Sequence, residues 1–188
     1  MDLKKIANLY QEILKEIGED PKREGLEKTP ERIAKSFEKI FGGYKQKASE
    51  ALTQFDGENY DEMIICNDID FFSTCEHHMQ PFFGKVSIGY IPNKKIIGLS
   101  KLPRIVEIFS RRLQNQERLT MQIANTLNEL LKPKGVAVVV KAKHLCMMAR
   151  GVEKQNASMI TSSCTGLFKK NAKTRSEFLR LIKENQGF

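Results

Sequence analysis

The sequence has no tryptophan, and its four tyrosines form no cluster with lysine or arginine. Single-stranded RNA is usually held by aromatics interleaved with basic residues. A zinc-stabilised basic RNA-binding module is therefore the weaker reading, despite 31 basic against 23 acidic residues and a formal charge of +8. No apolar run approaches the ~20 residues of a membrane span. The opening MDLKKIANLYQEIL lacks the continuous apolar stretch of a secretory signal, so a cytoplasmic protein with no membrane partner is expected. With only four cysteines in such a compartment, disulfides are not expected. There is no Walker A loop, which excludes a P-loop NTPase, and no internal repeat, which excludes a solenoid.

What remains is an ordinary soluble chain of 188 residues, 40% hydrophobic and 29% charged, enough for one domain with a small appendage. Apolar residues at helical spacing over 3–17 predict a first helix closed by Gly18. Thr29 as N-cap and Pro30 at the first helical position predict a second, ended by Gly42-Gly43. Residues 1–45 are read as a helical arm, and 44–59 as a polar connection. From there the period changes. Strands are expected over 62–72 and 82–91, with a short return strand over 95–99. Two helices follow, over about 101–112 and 117–131. GVAVVVKAKH reads as a buried strand, and 158–168 as another. Thr174 with Glu177 forms a capping box for a final helix. Residues 46–188 thus read as an α+β domain with a mostly antiparallel sheet.

Chemistry concentrates in two places. Cys75-Glu76-His77-His78 offers a Cys-x2-His spacing that folds back onto one ion. His144-Leu145-Cys146 ends a strand, and if the strand persists, His144 and Cys146 share a face. All three histidines lie beside one of these two cysteines. Thiolate and imidazole donors favour zinc over magnesium or calcium. Three ligands would leave a position for water and four would close a structural site, so five candidates leave at least one for proton transfer. Spacing favours His78 over His77. Cys66 and Cys164 sit in apolar or small-residue surroundings and read as buried hydrophobes.

A basic feature follows. Lys101 and Arg104 open a helix just after Ser100, Arg111 and Arg112 come two turns later, and Arg150-Gly151 follows the second cluster. A helix N-terminus with basic side chains in its first turn suits phosphate. Gln116-Glu117 begins another helix, where a carboxylate either answers the helix dipole or accepts an amidine-like edge such as that of guanine.

Three segments, FSTCEHHMQPFFGKVSIGYIP, GLSKLPRIVEIFSRRLQNQERLT and HLCMMARGV, with TSSCTGLF and RSEFLRLI behind them, resemble GTP cyclohydrolase I from about Thr29 to Leu181. The resemblance implies the tunnelling fold, an antiparallel four-stranded sheet backed by helices, assembled into a toroidal homodecamer with interfacial active sites. It implies conversion of GTP and water to 7,8-dihydroneopterin triphosphate and formate, the first step of folate and pterin synthesis. It assigns Cys75, His78 and Cys146 to zinc, and His77 and His144 to acid–base catalysis. It places Ser100 beside the ribose, Gln116 and Glu117 at guanine, and Lys101, Arg104 and Arg150 at the triphosphate. Other enzymes of the same fold, acting on a purine or a pterin, lack the combined CEHH, QERLT and HLCM segments.

Overall fold

The computed structural model describes residues 1–184, so the last four residues of the expected 46–188 domain lie outside the described residues. The chain divides into two units, one ending at Gly42 and the other starting at Gly43. In the first, α1 (Leu3–Glu16) is capped by Asp2, whose side chain accepts from the Lys5 amide at 3.0 Å. Its partner α2 (Thr29–Ile40) packs against it through Tyr10 and Phe37, edge to face at 5.8 Å. Thr29 does not cap α2. It is the first helical residue, and its hydroxyl donates back to the Gly25 carbonyl at 3.3 Å.

The second unit begins with two short 3-10 turns and a strand that periodicity does not reveal, β1 (Gln54–Asp56). Then come β2 (Ile64–Cys75) and β3 (Pro81–Ile91), an antiparallel pair with a bulge between Cys66 and Ile69. The next strand, β4 (Lys95–Ile97), does not return onto β3 but pairs with β1. After it come α3 (Lys101–Ser110), β5 (Leu113–Gln114), α4 (Gln116–Leu131) and β6 (Gly135–His144). The chain closes with the helical turn α5 (Leu145–Met148), β7 (Met159–Cys164), α6 (Gly166–Lys170) and α7 (Ala172–Glu184).

The main sheet has five strands, not four, in the order β5-β2-β3-β6-β7. Four of them are antiparallel neighbours, and β5 adds a two-residue parallel edge beside Thr74 and Cys75. Two residues are too few to carry a period, so β5 is invisible in the sequence. The expected strand over 158–168 is shorter for a different reason. Gly166 takes a positive φ of 51° and turns the chain into α6. The final helix is capped by Asn171, whose side chain accepts from the Lys173 and Thr174 amides at 2.8 and 3.3 Å, so Thr174 lies inside the first turn.

One face of the sheet is dry along its length. Phe82, Val86, Ile88 and Tyr90 of β3 are fully buried against α3 and α4, with Leu102, Ile105, Leu119, Ile123 and Leu127. Among the described residues, the other face is covered at the Gly89 end, where Phe168 and Phe178 meet edge to face at 5.7 Å. Beyond that cover lies an open groove of about 880 Å³, walled by Phe72, Phe83, Lys85, Lys141, Ile160 and Leu179. At Gly84 the β6 backbone comes so close that a Cβ would sit 1.9 Å from the Lys141 carbonyl oxygen. This close approach sets the register that carries His144 beside Phe82.

Candidate metal centre

Strand β2 delivers Cys75 at its last residue, and the Cys75 amide donates to the Gln80 carbonyl at 2.8 Å as the chain turns towards β3. Met79, at φ 52°, closes the turn. On the neighbouring side β6 ends at His144, and the chain enters α5. The expected strand alternation therefore does not place Cys146. A helical turn does, and it leaves the Cys146 Sγ 4.0 Å from the Cys75 Sγ. His78 Nδ1 lies 3.8 Å from the same Cys75 sulfur. The donor atoms of Cys75, His78 and Cys146 all fall within 4.8 Å of one another. A tetrahedral zinc ion, with bonds of about 2.3 Å to sulfur and 2.0 Å to nitrogen, needs its donors roughly 3.5–3.8 Å apart. The three side chains fit such an ion. His77 Nδ1 comes within 3.9 Å of Cys75 Sγ, yet His77 does not join the three-residue group. The two imidazoles diverge, with ring planes at 79°.

Burial pushes the Cys146 thiol up, the Cys75 sulfur adds to the rise, and Arg150 partly counters it. A cation between the sulfurs would reverse that balance.

His144 is half-buried and stacks flat on Phe82, with centroids 4.5 Å apart and planes at 4°. Burial pushes its pKa down, and the Glu117 carboxylate pulls it partly back. His144 Nε2 lies 2.8 Å from Gln116 Oε1. Gln116 itself is buried, and its Nε2 donates to the Val140 carbonyl, the Met159 carbonyl and the Thr161 hydroxyl at 3.0, 3.2 and 3.1 Å. Its side-chain amide is thus fully engaged. Glu117, one residue on, is exposed in the single chain.

Sequence reasoning assigned no role to the residues that brace this end of the sheet. Glu76 accepts from Asn115 Nδ2 at 2.9 Å and pairs with Arg118. The Arg118 hydrogen bond holds the Glu76 carboxyl below its ordinary range. Asn115 also caps α4, accepting from the Arg118 amide at 2.7 Å. An Asn directly before a helical run is a legible cap signal. That it also reaches Glu76 is not.

The basic residues separate into groups. Arg150 lies near enough to Cys146 to act on its charge. Arg111 pairs with Glu107 at 2.9 Å, and Arg112 donates to the Ile108 and Gly43 carbonyls. Both serve the fold. Ser100, Lys101 and Arg104 are elsewhere. They follow Gly98 and Ile97, whose amide donates to the Tyr90 hydroxyl at 3.1 Å. From Phe82, beside His144, to Tyr90 is about 27 Å along β3 at ~3.4 Å per residue. Within one chain the α3 N-terminus and the metal group stand at opposite ends of the sheet. Cys66 and Cys164 are half-buried free thiols, each pushed up by burial. No helix among the described residues is long and apolar enough to cross a membrane.

Two thiols and an imidazole around one point, flanked by two further histidines on an α+β scaffold, form a donor set that could hold a metal ion. The chain belongs to the GTP cyclohydrolase I family, whose model matches residues 6–183; its members are hydrolases. GTP cyclohydrolase 1 of Leptospira biflexa is 57% identical over 179 residues, covering 95% of this chain and 98% of that protein. The protein of that name from Wolinella succinogenes is 54% identical over 186 residues, 97% of this chain and 100% of the other. The one from Homo sapiens is 54% identical over 185 residues, 97% of this chain and 74% of the other.

Proposed function

We propose that this chain converts GTP and water to 7,8-dihydroneopterin triphosphate and formate, the first step of tetrahydrofolate and pterin synthesis, with zinc as its cofactor and the cytoplasm as its compartment. The observation that carries this reading is the convergence of Cys75, His78 and Cys146 within 4.8 Å in a chain of this family. Soft thiolate and imidazole donors suit zinc. When bound, zinc supplies Lewis acidity and lowers the pKa of a water, so that a nucleophile for purine carbon 8 exists near neutral pH.

The chain's own side chains bind and move protons. His144, kept neutral by burial, and His77, exposed beside the ligands, exchange protons with the purine nitrogens as the imidazole ring opens and formate leaves. The same pair serves the later ring closure. Glu117, exposed at the α4 N-terminus, accepts the paired hydrogens of the guanine edge. Gln116 stands at that edge too, with its side-chain amide already held by His144 and the strand carbonyls. Arg150 answers triphosphate charge from the metal side.

Ser100, Lys101 and Arg104 complete the site from a second copy. Their distance from the metal group within one chain supports this, since no single substrate of GTP's length reaches both ends of β3. We place the ribose at Ser100 and the triphosphate at Lys101 and Arg104. The assembly that brings these ends together is read as a homo-oligomer, a toroidal decamer of tunnelling-fold subunits. In each, residues 46–188 form the catalytic domain and 1–45 an arm.

The test is direct. The purified, zinc-loaded protein is incubated with GTP while pterin fluorescence and formate are followed, and its metal content is measured. Pterin, formate and about one zinc per chain are expected. Zinc-loaded protein that makes no pterin, or metal-free protein with full turnover, overturns the reading.

A further inference from the structure

The residues from Glu76 to His78 lie outside the strand ladders, because β2 ends at Cys75 and β3 starts at Pro81. The residue that anchors this turn sideways is Glu76. Its amide donates to the Gln114 carbonyl at 3.0 Å. Its Oε1 accepts from Asn115 Nδ2 at 2.9 Å, and its Oε2 from Arg118 Nη2. The same Oε1 lies 3.7 Å from His77 Nε2. Arg118 is itself fixed, its Nε donating to Gln114 Oε1 at 3.0 Å. Gln114 Nε2 in turn donates to the Phe109 carbonyl at 3.0 Å and to Gln122 Oε1 at 2.7 Å. Two residues further along, Gln116 holds His144. The run from Gln114 to Arg118 therefore grips both halves of the metal centre, the Cys75–His78 turn through Glu76 and the β6 end through Gln116.

We propose that Glu76 is a positioning residue. Clamped by Asn115 and Arg118, it sets the Cys75–His78 turn in the register that lets His78 face Cys146, and it steers the His77 imidazole. The proposal rests on reading Cys75, His78 and Cys146 as a zinc centre, and extends it to a residue that touches neither metal nor substrate.

A merely structural ion pair would behave differently. The Arg118–Glu76 pair is 39% and 26% exposed, and pairs in that setting contribute little to stability. Groups that orient metal ligands typically change metal affinity or activity about 10–100-fold when lost. The experiment uses the full-length protein with Glu76→Gln, Arg118→Gln and both together. Zinc affinity is measured by chelator competition, melting temperature on the zinc-free forms, and kcat and KM with GTP. Glu76→Gln keeps the acceptor for Asn115 but loses the charge. Its zinc affinity should fall roughly 10–100-fold, and its kcat should fall with KM little changed. The zinc-free melting temperature should stay near wild type. The double variant should be no worse than the weaker single one. Wild-type zinc affinity and kcat in Glu76→Gln, or losses that track a lowered zinc-free melting temperature, overturn the positioning role. A wild-type protein that takes up no zinc overturns the centre itself, which is a separate and separately visible failure.

Discussion

At the Pro81 end of β3, nearly every chemistry-bearing group has found a partner within the chain. Cys75, His78 and Cys146 face one another, His144 has Gln116 and Phe82, and Glu76 has Asn115 and Arg118. At the Ile91 end, beyond the β1–β4 pair, Ser100 and Arg104 stand exposed at the start of α3, their side chains with no hydrogen-bond partner among the described residues. The lesson is one of completeness. A lone chain brings three metal-competent donors together, whereas Ser100 and Arg104 face no partner group among the described residues of their own chain, and the proposed second copy would bring the two ends together.

The heaviest blow to the first end is loss of a metal donor. Cys75→Ser, Cys146→Ser or His78→Ala should empty the site and abolish turnover, as zinc content and formate release will show. His77→Ala should keep its zinc and lose about 10²–10⁴ in rate. Metal loss in His77→Ala with retention in His78→Ala would exchange their roles.

The second end is tested by Lys101→Ala with Arg104→Ala, expected to cut kcat/KM for GTP by about 10²–10³ through lost phosphate contacts while zinc stays bound. Co-assembling this variant with Cys75→Ser subunits should restore part of the activity, because some sites then draw an intact half from each. No recovery in verified mixed oligomers would mean the two ends do not share a site.

Glu117→Ala should cost at least ~2 kcal/mol in kcat/KM, about 30-fold, if its carboxylate reads guanine. Inosine triphosphate, which lacks the exocyclic amine, should be the poorer substrate for the wild-type protein and lose that handicap in the variant.

The smallest effect is on stability. Burial lowers the His144 pKa in the folded chain, so the unfolded chain binds its proton first as pH falls through about 6.5. Stability from this group is complete above that pH and declines below it, towards the folded-state value. Thermal melts of the zinc-free protein between pH 8 and 5 should show a decline that is shallower in His144→Asn.

Much of this architecture was legible because it repeats. The arm helices, α3, α4 and β6 each carry a period long enough to name the element and its buried face. The grouping of Cys75, His78 and Cys146 was legible because histidine is scarce and sits beside two cysteines. The fifth strand and β1 were not, since three residues or fewer carry no period and are recruited by what lies alongside, and β4 was legible as a strand but not its pairing with β1. Thr29 and Thr174 looked like caps, and the structure gives Thr174's role to Asn171 while Thr29 bonds backwards to Gly25. Several chain positions compete for one cap, and spacing alone does not choose. Glu76 was in plain view within the first cluster. Its function depends on Asn115 and Arg118, about forty positions away, a distance no local pattern spans.

The Gln116 nitrogen faces two carbonyls, Val140 and Met159, which only accept, so that atom must be the amide NH2 and the atom towards His144 its oxygen. The threonines agree: Thr120 gives its hydrogen to the Gln116 carbonyl and takes one from Thr161, leaving the Thr161 oxygen to accept from Gln116. An oxygen at 2.8 Å requires hydrogen on His144 Nε2. In the neutral ring the lone pair therefore lies on Nδ1. The backbone of two neighbouring strands, through one glutamine, selects the tautomer of a histidine and with it the nitrogen able to accept a proton.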